Sequence, residues 1–230
     1  MKKLLAGLAL AAAATSVNAK TIWSDYSVTY LNGSNYQVGD SDREVVTIEY
    51  ASGTSWGDHF MFVDRLNSSD GSLETYGEFS PRIKIKELNG FIKNFYFAPS
   101  VEFAEHATNY LIGLGTDLAV PHFDFFQLNA YVRKNDDGSN SFQTTLAWSV
   151  PIGPLSYTGF LDHATGYDAD AGFKVGTQTN LTSQLKYDIA PHIGYDNKFY
   201  LGVEYVHWNN KFGIDGVNER NVNLLAKVHF

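Results

Sequence analysis

From about residue 25 to its last residue, the chain alternates apolar and polar positions with a period of two, in about 12 runs. Short stretches rich in Gly, Pro, Asn, Asp and Ser separate them. This is a strand period, because successive side chains of an extended chain point to opposite faces. In residues 43–51, Val46, Ile48 and Tyr50 oppose Val45, Thr47 and Glu49. In 92–103, Phe95, Phe97, Val101 and Phe103 oppose Asn94, Tyr96, Ser100 and Glu102; in 124–135, Phe126, Leu128, Ala130 and Val132 oppose Gln127, Asn129, Tyr131 and Arg133. The run at 25–31 is short, and in 58–66 the pairs Phe60/Phe62 and Met61/Val63 compete for one face. No segment after residue 19 shows helix caps around a long helical pattern.

Two-faced strands of this number suit either a secreted sandwich or a membrane barrel, and the last ten residues, Asn221 to Phe230, bear on the choice. Val222, Leu224, Ala226, Val228 and Phe230 share one face, with Asn223, Lys227 and His229 on the other and Leu225 facing inward against the pattern. Such a segment resembles the closing strand of bacterial outer-membrane barrels, which in those proteins is the signal read by the insertion machinery. At the other end, Met1, Lys2 and Lys3 precede an apolar run from Leu4 to Ala14 and small residues at Val17-Asn18-Ala19. That reads as a signal peptide over 1–19, cleaved near Ala19, with one domain over 20–230. The apolar run is too short to span a bilayer as a helix.

Composition agrees. The chain has 14 Tyr, 16 Phe and 4 Trp, many for its length and expected where aromatic girdles mark both membrane interfaces. It has no Cys, which excludes a disulfide framework and thiolate metal sites. Removing Lys2 and Lys3 takes the net charge from −8 to −10, which argues against nucleic-acid binding. If the chain starts on the periplasmic side, connections 32–42, 67–72, 165–175 and 209–220 are external and long. Those at 88–91, 121–123 and 151–154 are tight turns, the asymmetry expected of outer-membrane barrels. The expected fold is all-β: a single-domain, transmembrane, antiparallel up-and-down barrel of about 12 strands, multi-pass in the bacterial outer membrane and bathed by its lipid.

The stretches FVDRLN (62–67), YGEFSPR (76–82), GLGTD (113–117), DFFQLNAYVRKN (124–135) and GVEYVHW (202–208) resemble the Tsx/OmpK family of nucleoside-specific channel-forming outer-membrane proteins. The likeness covers most of the chain after residue 19. It implies a 12-stranded barrel whose narrow lumen passes nucleosides, with phage as a further partner of some relatives. It supplies no residue-by-residue site.

The site candidates come instead from strand parity. Tyr76, Arg82, Tyr96, Glu102, Asp117, Tyr131, Arg133, Lys186, Tyr200 and Glu204 should face the lumen, together with Glu49, Lys84, Asp188 and Lys227. Tyr rings can stack on a base and carboxylates can accept from ribose hydroxyls, so the set suits a neutral polar solute. The same charges could instead pair across strands and hold the barrel together. Gly113 and Gly115 either leave room in the lumen or mark a bend.

An outer-membrane hydrolase is the rival class. The pairs Asp58-His59 and Asp162-His163 are present, but there is no nucleophile elbow and the seven His are scattered. The Asp136-Asp137-Gly138 loop reads as a solvated turn and not as a calcium site. No catalytic residue, metal or cofactor is expected. The function expected is a passive channel for nucleosides or similar small polar nutrients, the alternative being a surface receptor with a closed lumen.

Overall fold

The structure, a computed structural model, describes residues 20–230. The signal-peptide reading of 1–19 lies outside the described residues.

Twelve strands close into one antiparallel barrel: β1 (Thr21–Gly33), β2 (Arg43–Thr54), β3 (Gly57–Ser68), β4 (Leu73–Glu87), β5 (Ile92–Ala104), β6 (Thr108–Leu118), β7 (Phe125–Lys134), β8 (Ser141–Ile152), β9 (Leu155–Ala164), β12 (Gln178–Asp188), β13 (Phe199–Asn209) and β14 (Glu219–His229). Each pairs with its sequence neighbour, and β1 pairs with β14, with Val28 opposite Val228, to seal the ring. Closure leaves no sheet edge and satisfies every strand's backbone within the sheet, the condition for crossing lipid with strands. No described helix is long and apolar enough to cross a membrane.

Residues directly opposite in a ladder share a face, so the inner wall can be followed from strand to strand. One row runs Ser27, Glu49, Phe62, Glu78, Glu102, Asn109. Another runs Asn129, Thr145, Asp162, Asn180, Trp208. The outer wall is apolar: Ile48, Ile112, Leu114, Phe142, Val222 and Leu224 are all more than half exposed to the surroundings that lipid would fill. The polar side is the packed side, the reverse of a water-soluble protein.

Three features differ from expectation. β1 begins at Thr21 rather than about residue 25, because Thr21 and Trp23 pair with Thr54 and Gly53 of β2. The Gly/Asp-rich connection after β9 carries a small hairpin, β10 (Tyr167–Asp168) with β11 (Lys174–Val175), outside the barrel sheet. The length asymmetry also has exceptions. The connection after β5, at the long-loop end, is three residues, whereas the turn after β12 holds a one-turn helix, α1 (Ala190–Ile193), closed by Gly194 at φ 69. That helix fills the rim where Asp188 accepts from the Ala190 and Phe199 amides.

The competing faces of β3 resolve with Phe60 and Phe62 inward, flanked by Asp58 and Asp64. His59, Met61 and Val63 face outward. Thr47 and Glu49 of β2 fix this parity by lying opposite Asp64 and Phe62. Phe62 then meets the Tyr76 ring at 5.8 Å inside the barrel.

Candidate functional site: the barrel lumen

All ten residues selected by parity sit on the inner face, and they fall into groups at different depths. Nearest the rim that carries Thr21 and His229, Arg82 of β4 reaches Asp58 of β3 through Nε at 2.8 Å and Nη2 at 2.6 Å. The same Nη2 lies 2.9 Å from Asp117 Oδ1 of β6. The guanidinium rests over the Tyr96 ring, 4.2 Å from its centre, while the Tyr96 hydroxyl donates to Asp117 at 2.6 Å.

Deeper in, Arg133 makes a two-pronged pair with Glu102 at 2.7 and 2.8 Å and donates to Gln143 at 2.8 Å. Beside it the Tyr76 hydroxyl donates to Glu78 at 2.6 Å and Thr145 donates to Asp162 at 2.5 Å. Tyr131 is buried against Ala98 and Leu111. On the far wall Lys186 donates to Thr158 at 2.5 Å and lies 5.7 Å from the centre of the Tyr200 ring. Glu204 accepts from Gln184 at 2.9 Å and Asn223 at 3.0 Å. Of the wider set, Glu49 pairs with Lys227, whereas Lys84 and Asp188 stand at the rim, in pairs with Glu87 and Lys198.

The two glycines in question leave room, and neighbours occupy it. A Cβ on Gly113 would meet Ala130 O at 2.0 Å and Tyr131 Cδ1 at 2.8 Å, and one on Gly115 would meet Asn129 Oδ1 at 2.1 Å. β6 is thus a flat panel against which the Tyr131 ring and the Asn129 amide lie.

Sequence parity missed four inner-face contributors. Glu78 and Asp162 were detectable from alternation, whereas Asp58 and Asp64 lie on β3, whose facing alternation leaves open. Among the described residues, Asp64, Glu78, Asp162 and Glu204 have no Lys, Arg or His at ion-pair distance; hydroxyl and amide donors hold them instead. The lumen therefore holds more carboxylates than cations.

A second omission is Tyr36. It belongs to the loop after β1 but packs on an apolar cluster of inward Leu31, Val45, Leu66 and Leu225, which accounts for the out-of-pattern Leu225. Its ring lies 5.4 Å from Arg43 Cζ and 5.5 Å from Lys211 Nζ, and burial pushes its hydroxyl pKa well up. The only sequence signal was an aromatic in an otherwise polar loop.

Adjacent strand residues cannot act together on one substrate, and this dissolves both Asp-His pairs. Asp162 points into the lumen while His163 points out, where its Nδ1 lies 2.9 Å from the Thr179 hydroxyl. Asp58 holds Arg82 inside while His59 lies outside among Tyr50, Trp56 and Phe79. Neither Asp-His pair forms a shared site, and the Asp-rich loop is used for ties between loops: Tyr167 donates to Asp137 at 2.8 Å.

Among the described residues, cavities enter the barrel from both ends. One, of about 480 Å³, opens at the terminus rim and is bounded by Asp58, Arg82, Asn94, Asp117, Phe123 and Gln127. The other, of about 140 Å³, opens at the long-loop end between Arg133, Ser141, Ala164, Tyr167 and Gln178. A closed barrel with a polar inner wall, an apolar belt outside and cavities entering from both ends has the architecture of a pore. A family model for the nucleoside-specific channel-forming protein Tsx matches residues 21–224.

The chain belongs to the Tsx family.

This Tsx-family protein is thus a passive outer-membrane channel, in contact with membrane lipid along its apolar belt. No curated protein sequence matches the chain. Its barrel is similar to the solved NanC porin, with a TM-score of 0.60 at 12% identity over 89% of this chain and 98% of that one. It is also similar to the KdgM porin, with a TM-score of 0.52 at 9% identity over 90% and 99%. At such identities the likeness concerns the fold alone.

Proposed function

We propose that the solutes passed by this Tsx-family channel are nucleosides or polar molecules of similar size. The observation that carries the reading is the chemistry of the unpaired lumen carboxylates. Glu78, Asp162 and Glu204 each accept from a neutral hydroxyl or amide, the donors that ribose hydroxyls would replace. Tyr76, Tyr96, Tyr131 and Tyr200 offer ring faces or edges along the same path, and base stacking on aromatics is worth roughly 1 to 3 kcal/mol per base in other proteins, weak enough to permit release. The larger cavity falls within the roughly 300 to 1,000 Å³ typical of small-molecule sites. An excess of carboxylates also disfavours phosphorylated solutes.

The same reading includes export through a signal peptide over 1–19, delivery of a 20–230 barrel to the insertion machinery through Asn221 to Phe230, and phage as a partner of the external loops. The test is single-channel conductance of the refolded barrel in a planar bilayer with and without a nucleoside. Concentration-dependent block supports an internal nucleoside site, and steps indifferent to nucleosides remove that solute class. A folded barrel that never conducts favours a closed-lumen surface receptor.

A further inference from the structure

The two cavities share no lining residue. Beside the larger one, the inner wall of β4 to β7 carries a layer of Arg82, Tyr96, Asn129 and Tyr131, all more than nine-tenths buried and, apart from Arg82, lining neither cavity. Tyr131 and Asn129 are laid flat against the glycine panel of β6 and have nowhere to retreat. Tyr96 is held by its hydroxyl on Asp117. Arg82 is the member of the layer whose contacts are unequal.

Its grip on Asp58 is a two-pronged hydrogen bond, the stronger and geometrically specific form. Its contact with Asp117 has ion-pair distance without hydrogen-bond alignment, for Asp117 Oδ1 has no hydrogen-bond partner. Asp117 does not depend on the arginine, since Tyr96 and Asn94 donate to its other oxygen at 2.6 and 2.9 Å. The remaining terminal nitrogen of Arg82, Nη1, is buried with no hydrogen-bond partner among the described residues. A guanidinium that leaves Asp117 thus abandons a poorly aligned contact, leaves the carboxylate hydrogen-bonded and brings an unsatisfied donor toward water.

We propose that Arg82 is the gate of this channel: it pivots on Asp58, releases Asp117 and slides off the Tyr96 ring, joining the terminus-rim cavity to the deeper lumen. Because the gate carries positive charge between two carboxylates, it also sets the charge preference at this layer. A cation passing this layer competes with Arg82 for Asp117, whereas an anion meets the Asp117 carboxylate that the arginine has released.

The chain has no cysteine, so a single introduced thiol is addressable. In salt alone, with no nucleoside, R82C and D117N are compared with wild type for single-channel conductance, and heat-modifiable electrophoretic mobility reports folding. The gate predicts a several-fold rise in conductance or open time for R82C and a smaller rise for D117N. Treating R82C with a cationic aminoethyl thiosulfonate should return conductance toward wild type, while the anionic sulfonatoethyl reagent should not. Wild-type behaviour in both folded variants, including silence in all three proteins, overturns the proposal. So does equal restoration by the two reagents, which would assign the effect to bulk. Failure of nucleoside block leaves this result untouched, so the gate and the choice of solute are judged separately.

Discussion

Lys227 on the last strand and Glu49 on the second are joined by an ion pair that passes across the inner face of β1. Ser27 and Thr29 of β1 donate to the same Glu49 oxygen at 3.0 and 3.3 Å. Three strands thereby converge on one carboxylate at the seam where the barrel closes. Removing one partner of a buried pair strands the other charge, at a cost of about 3 to 5 kcal/mol. K227M should lower barrel stability by that order and the K227M/E49L double variant by less, as read from urea unfolding of the folded protein in lipid vesicles. Equal losses would show that the packing and not the pair secures the seam.

The lumen's excess of carboxylates should make the open pore prefer cations. In a potassium chloride gradient across a planar bilayer, the reversal potential should carry the sign of potassium permeation. Replacing Glu78 and Asp162 by their amides should move it toward zero, with conductance changing less than selectivity, because the amides keep the size and the hydrogen bonds of the originals.

Acid should loosen the long-loop end before it affects the barrel. Asp40 accepts from Ser69 Oγ at 2.5 Å and from the Asp70 and Asp42 amides, tying the first external loop to the second. These bonds, the Ser69 hydroxyl foremost, hold its pKa below the ordinary 3.8. A depressed carboxylate contributes its stabilisation in full above the ordinary value and loses it as pH falls through the lowered one. Amide exchange at Ser69 and Asp70 should therefore be flat from pH 7 to about 5, allowing for the intrinsic rate, and lose protection only below the ordinary aspartate range. A D40N variant should show the loosened behaviour at every pH.

The panel on β6 gives a steric prediction. G113A places a methyl group against the Ala130 carbonyl and the Tyr131 ring. It should cost about 1 to 3 kcal/mol, the usual range for overpacking, and displace Tyr131. A thermal unfolding temperature equal to wild type would show that the β6–β7 ladder shifts freely to admit the methyl.

Facing was legible from sequence wherever one wall meets lipid and the other water, because that contrast is written at every second residue. It was illegible in β3, where Phe62 serves the lumen and Met61 the lipid, so both faces read as apolar. The pairings inside were beyond reach for another reason: Glu49 and Lys227 are 178 residues apart, and alternation says which wall a side chain lines but not at what height. Tyr36 was hidden by its loop, since the polar residues around it describe solvent contact and give no sign that the ring turns inward. The hairpin of β10 and β11 was too short to carry a period.

Polar groups packed inside and apolar groups outside also protect the assembly from a near miss. If β14 slid by one residue against its neighbours, Asn221, Asn223 and Lys227 would turn to the hydrocarbon and Val222, Leu224 and Val228 to the carboxylates, because a shift of one exchanges the faces. A lysine facing lipid costs about 2 to 4 kcal/mol at the midplane of such barrels and less toward the rim, where Lys227 lies opposite Tyr200. The buried asparagines higher up the strand add to that cost. The lumen charges therefore act as proofreaders of strand alignment: a chain that inserts off by one has no comfortable place to stop and must withdraw and try again.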